Sequence, residues 1–298
     1  MKTILFALVA ASALTIGVIA QSNEESVVVK KPYDQSLNKG NPHGTGPTIL
    51  YHGGPVLLST VPLYVIYYGM VPGGTQTIIN TFLTDLNGST PFAVNKTYTQ
   101  GSGAAVSGSL GFPTIHLDSG ASQGTSLGSN TVAAIIQHAF ANGLKPDSSG
   151  VYFVITAPDV SVSGFCKSFC AYHTKSTTIA PGYTIHYALV PDPGQSCTGC
   201  DGNAAVYHQT ATPNGDPGAD EMTDSIMHEL SETATDPDLN AWFTKNGEEN
   251  GDLCNYFYGT SPLYTVNGAT ANTLLNGHYY LIQYIWRNST PQVCADAP

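Results

Sequence analysis

Between Asp224 and Pro237 the chain carries an unusual density of groups that can hold a cation or move a proton. Asp224, His228, Glu232 and Asp236 recur at intervals of four, and Glu229 sits beside them. On a helix, residues so spaced share one drifting stripe. Ile226, Met227, Leu230 and Ala234 would give that helix an apolar side for a sheet. An imidazole and carboxylates on one stripe suit a divalent cation, and a neighbouring carboxylate suits a general base acting on metal-bound water.

The order His228-Glu229-x-x-Glu232 is one residue away from the His-Glu-x-x-His helix of zinc peptidases. In that scheme His228 and Glu232 are ligands and Glu229 is the base. A carboxylate in the second ligand position shifts the preference toward oxygen-loving ions, so calcium stands beside zinc, and no metal at all is the third alternative. A further ligand would come from Asp236, Glu248, Glu249 or Asp252. The competing reading is a solvated helix face with a capping acid. Upstream, Asp216 and Asp220 lie on the Gly-rich stretch 214–221, which lacks EF-hand spacing and reads as a turn and helix N-cap before it reads as a calcium loop. There is no Gly-x-Ser-x-Gly elbow. His52 and His173 read as structural before they read as ligands. Tyr256, Phe257, Tyr258, Tyr279 and Tyr280 suit either sugar stacking or the core.

The elements that must position these groups follow from periodicity. Residues 61–68 and 151–156 are dense in β-branched and aromatic residues and predict buried strands, and 183–190 predicts another. Shorter strand-like pieces fall at 92–94, 104–110 and 114–117, with a final strand at 279–286. Helices are predicted at 75–86, at 131–141 with Asn130 as N-cap and Gly143 beyond its end, and at 220–235, stopped by Pro237. Strands interleaved with three main helices predict one α/β domain with a mixed sheet, and a zincin-like arrangement by analogy of element order.

The N-terminus reads as a secretory signal peptide over residues 1–20, from Lys2 through an apolar run to Ala20. That run is shorter than the roughly 20 residues a bilayer span needs. Residues 21–47 are polar and rich in Gly and Pro and predict a flexible lead-in; the domain then occupies 48–298. The six cysteines fit an exported, disulfide-stapled protein. Local pairs Cys166–Cys170 and Cys197–Cys200 with Cys254–Cys294 are expected, cross-pairing of the two neighbouring motifs is the alternative, and zinc held by four thiolates is the rival chemistry. Asn87 and Asn95 head sequons; Asn288 heads a third, which Pro291 disfavours. With 10% charged residues and a formal net charge of −11, nucleic acid and anionic lipid are excluded as partners.

Several blocks in order resemble the phosphate-induced protein family, known from the EXORDIUM and EXORDIUM-like proteins. These are 51–57 with 63–69, then 154–160 with 164–173, then 214–220 with 228–242, closing on Cys254 and Cys294. The resemblance implies a secreted protein of the cell wall or apoplast-like space, linked to growth, and hands over no mechanism. Two functions are thus expected. One is a zincin-like metallohydrolase acting on peptide bonds. The other is a non-catalytic growth or signalling protein that binds an extracellular protein or cell-wall polysaccharide, with the helix structural or holding calcium.

Overall fold

A computed structural model describes residues 26–34, 48–128, 130–194, 196–260 and 262–298. The signal peptide expected at 1–20 lies outside these residues. Six strands form the central sheet: β1 (Val28–Lys30), β2 (Val61–Tyr68), β3 (Leu110–Asp118), β4 (Val151–Thr156), β5 (Ala171–Ser176) and β6 (Ile185–Val190), in the order β1-β5-β6-β4-β2-β3. The pairs β2–β3, β2–β4 and β4–β6 are parallel; β5–β6 and β1–β5 are antiparallel. The near-continuous apolar run of β4 is what a strand covered on both faces requires, and all six of its residues are buried.

Among the described residues three long helices cover the sheet: α1 (Gly73–Leu86), α2 (Thr131–Ala141) and α3 (Pro217–Thr235). The Tyr67 hydroxyl donates to Asn80 Oδ1 of α1 at 2.8 Å. Tyr64 stacks on Tyr152, whose ring meets Phe140 of α2 edge-on at 5.4 Å. Successive side chains of a strand point to opposite faces, so α1 and α2 lie on opposite sides of the sheet. Helix α3 packs against α1, β5, β6 and β1, on the α1 side.

Helix α3 is the anomaly of the fold. Every residue from Gly218 to Thr235 is buried, polar ones included. The alternative of a solvated helix face is therefore corrected: no face of α3 meets water. Its start is set by Asp216, whose carboxylate accepts from Ala219 N, and by Pro217 in the first turn. It begins earlier than residue 220 because that cap lies at 216.

Other departures from expectation have local causes. Residues 92–94 are helical, in Thr90–Ala93 and Val94–Thr97, because Ser89 accepts from Phe92 N and Pro91 favours a first helical turn. The segment 279–286 divides into His278–Tyr280 and Ile285–Trp286, each pairing with a different partner. Within the expected flexible lead-in, Val28–Lys30 adds to the sheet edge as β1, drawn in by the charge of Lys30. The cysteines pair Cys166–Cys197, Cys170–Cys200 and Cys254–Cys294. The third pair is the expected one. The two local pairs are corrected to the crossed alternative, because Cys166 and Cys170 both face the 197–200 turn, with Cα–Cα distances of 5.7 and 5.5 Å. All six sulfurs are consumed, which removes the four-thiolate zinc site. Among the described residues no helix is long and apolar enough to cross a membrane.

Candidate metal centre

His228, Glu229 and Glu232 come together on α3, and β5 and the 249–252 turn complete the cluster. His173 projects from β5. Its Nδ1 lies 3.1 Å from Glu229 Oε2 and 3.3 Å from Glu232 Oε2, and its Nε2 lies 3.7 Å from Glu249 Oε1. His228 Nε2 lies 3.1 Å from Glu232 Oε1 and 3.8 Å from Asp252 Oδ1. None of His173, His228, Glu229 and Glu232 has measurable exposure, and Glu249 is 1% exposed.

The surroundings fix which ring nitrogens face inward. Gln283 Nε2 donates to Gly251 O at 2.8 Å, so its Oε1 faces His228 Nδ1 at 3.0 Å. That carbonyl oxygen requires the proton on Nδ1 and leaves Nε2 pointing at Glu232. Glu229 does the same for His173, accepting at Nδ1 and turning Nε2 toward Glu249. Gly251 is required by this closeness. A Cβ there would stand 2.8 Å from Glu232 Oε1 and 3.0 Å from His228 Cγ.

Several atoms of the cluster are buried without a hydrogen-bond partner: His173 Nε2, His228 Nε2, Glu232 Oε2 and Glu249 Oε2. Burial alone would keep an imidazole neutral. At His173 it is outweighed by the charge of Glu249, by the hydrogen bond the ring donates to Glu229 and by the nearby Glu232 carboxylate, which hold the ring well above the usual histidine range. At His228 burial is outweighed by Glu232, and the ring is pushed up to about 9. Burial raises Glu229, raises Glu249 well above the carboxylate range, and raises Asp252 to about 7. Glu232 is held down at about 2, because the two histidines overcome its burial. Four carboxylates thus crowd two imidazoles in a dry interior, an arrangement that attracts positive charge.

The remaining residues singled out in the sequence separate from this centre. Asp236 caps the end of α3, where Oδ1 accepts from Asn240 N and Ala241 N while Oδ2 stays buried and unpaired. Asp216 is the N-cap, and Asp220 accepts from Asn214. Glu248 closes a turn with Thr244. Asn87 is exposed and remains open to a glycan. Asn95 is corrected: it is fully buried, and its amide donates to Phe92 O and Ser231 Oγ, so the fold leaves no room for a sugar. The sequence reading missed His173 as a member of the cluster and gave no role to Lys30, Gln283 and Gly251. Only His173 left a trace, as an ionisable residue inside a strand otherwise fit for burial.

One mixed sheet covered by helices, three disulfides and a sealed His/Glu cluster built between a polar helix, β5 and the 249–252 turn define the class of protein. The chain belongs to the phosphate-induced protein family, and residues 49–296 match its conserved region, "Phosphate-induced protein 1 conserved region". It is similar to Protein EXORDIUM-like 3 of Arabidopsis thaliana, 31% identical over 267 residues covering 79% of each chain. It is also similar to Protein EXORDIUM-like 5 of the same plant, 30% identical over 82% of this chain and 76% of the relative. Protein PHOSPHATE-INDUCED 1 of Nicotiana tabacum is 29% identical over 90% and 91%. No solved structure matches the chain.

Proposed function

We propose that this is a secreted, non-catalytic extracellular protein whose core is locked by one divalent cation, zinc by its donor chemistry. His173 Nε2, Glu232 and Glu249 are the ligands, and Glu229 orients His173. The observation that carries the reading is the set of orphaned, fully buried donor atoms on His173, Glu232 and Glu249. A bound cation would satisfy all three at once. A mixed nitrogen and oxygen set favours zinc over calcium, which takes six to eight oxygens. A carboxylate that accepts from the far nitrogen of a ligating histidine is the usual support for such a ring.

The metallohydrolase alternative asks Glu229 to be a base on a metal-bound water. Glu229 is spent on His173 and has no exposure, so neither water nor a peptide bond reaches it in this conformation. The three disulfides support an oxidising, extracellular setting.

The test is elemental analysis of protein purified without chelator, followed by melting with and without chelator. About one zinc per chain is expected. Its removal should lower the melting temperature by on the order of 10 °C, given about 4 kcal/mol from a ligand at a thousandfold its Kd and roughly 2–4 °C per kcal/mol at this size. His173→Ala should abolish binding, while Glu229→Gln should weaken it about 10- to 100-fold. Metal-free protein with identical melting curves in both conditions would refute the cation.

A further inference from the structure

Lys30 is the only buried lysine or arginine among the described residues, and it arrives from far away in sequence. Its ammonium has no exposure. Nζ lies 2.6 Å from Asp224 Oδ2, 3.3 Å from Ser225 Oγ and 3.6 Å from Glu221 Oε1, and 5.2 Å above the Tyr256 ring. None of these residues belongs to the segment that carries Lys30. Asp224 is held independently, accepting from Tyr258 Oη at 3.1 Å and from Gln283 N at 2.6 Å. The rest of the domain therefore builds a pocket for an ammonium on a flexible stem.

The segment around Lys30 is attached in the manner of a bound peptide. Val28–Lys30 is a three-residue antiparallel addition to the edge strand β5. Lys30 O accepts from Cys170 N at 2.7 Å, and Tyr33 N donates to Gly199 O at 2.7 Å. The Tyr33 ring meets Tyr256 edge-on at 5.4 Å. Val28 and Val29 are only partly buried, so Lys30 is the main anchor. Backbone pairing at a sheet edge with a pocket for one side chain is the way domains capture extended peptides.

We infer that the β5 edge together with Glu221, Asp224, Ser225 and Tyr256 is a peptide-binding site for an extended strand bearing a lysine, occupied in this chain by its own residues 28–33. The occupant is exchangeable: a second strand with a lysine in register takes the same place when β1 lifts. The lysine pocket itself, Glu221, Asp224, Ser225 and Tyr256, lies outside the proposed metal set, while the strand borders that set: Val28 pairs with His173, and Lys30 N donates to Glu229 Oε1 at 3.3 Å. Tethering keeps the intramolecular strand at millimolar effective concentration, so the intact chain excludes weaker peptides.

The test uses the full chain with Lys30→Glu, which turns the anchor against the two acids, and a fluorescent peptide of the sequence Ser-Val-Val-Val-Lys-Lys-Pro-Tyr-Asp. The variant should bind the peptide with micromolar affinity. The wild-type chain should bind at least 100-fold more weakly, and a peptide with Met in place of its first Lys should not bind. In parallel, hydrogen exchange on the wild-type chain should show the amides of residues 28–30 opening at least 100-fold more readily than those of β4. A folded variant that ignores the peptide overturns the proposal. If the variant fails to fold, the exchange decides: amides of 28–30 that open only with the whole sheet make β1 a fixed core strand and overturn it, while local opening upholds it.

Discussion

The Asn95 amide donates to Phe92 O and Ser231 Oγ, and its oxygen accepts from Asn250 Nδ2. It thereby joins a 3-10 turn, helix α3 and the 249–252 turn at one buried point. Asn95→Ala would strand Ser231 and Asn250 without water to replace the lost partner. A loss of about 3 kcal/mol is expected, at about 1–3 kcal/mol per unsatisfied buried group, read as a lowered urea midpoint with unchanged slope. Glycopeptide mapping of the native protein should find no sugar on Asn95. A sequon constrains three residues and nothing else, so the tripeptide carries no information on burial. The same limit hid His173. Its type and its strand were legible, but its neighbours come from segments 56 residues or more away, and only the folded sheet joins them.

The expected start of helix α3 at 220 falls three residues late, because the Asp216-Pro217 cap reads as part of a turn, but its C-terminal end was legible, where Asp236-Pro237 stops it. Its environment was not. An amphipathic pattern normally promises one wet face, yet here the polar residues of every face find partners in β1, β5 and the 249–252 and 283 segments. The disulfides teach a related lesson. Cysteine spacing suggested short local loops, while the crossed pairs close loops of 31 and 30 residues. Non-reducing peptide mapping should recover Cys166 linked to Cys197 and Cys170 linked to Cys200. Replacing Cys170 and Cys200 together by Ala should cost about 3 kcal/mol, the usual return for a loop of that size. Recovery of a Cys166–Cys170 peptide would contradict the fold around β5.

At the scale of the molecule, acids outnumber bases and many are buried. Burial raises Asp192 and Asp220 to about 6 and Glu221 to about 8. In the unfolded chain the same groups titrate near 4. The folded state therefore holds extra protons between about pH 4 and pH 8, and stability falls as pH rises through that window. The contribution is complete below about pH 4 and is lost, as pH rises, first at the two aspartates and then at Glu221. Melting curves from pH 4.5 to 7.5, on protein at constant metal load, should shift downward by several degrees. A melting temperature that rises across the range would contradict these environments. The paired cross-links around β5 and β6 have one more consequence. They bridge the chain before β5 to the chain after β6, enclosing the connection 177–184, where Tyr183 is 42% exposed. Scission beside Tyr183 would divide the polypeptide into two pieces still bound by two covalent bridges and an antiparallel ladder. A nicked population would then travel as a single species until reductant is added, and its age or history of protease exposure would stay hidden in any measurement made on the oxidised form.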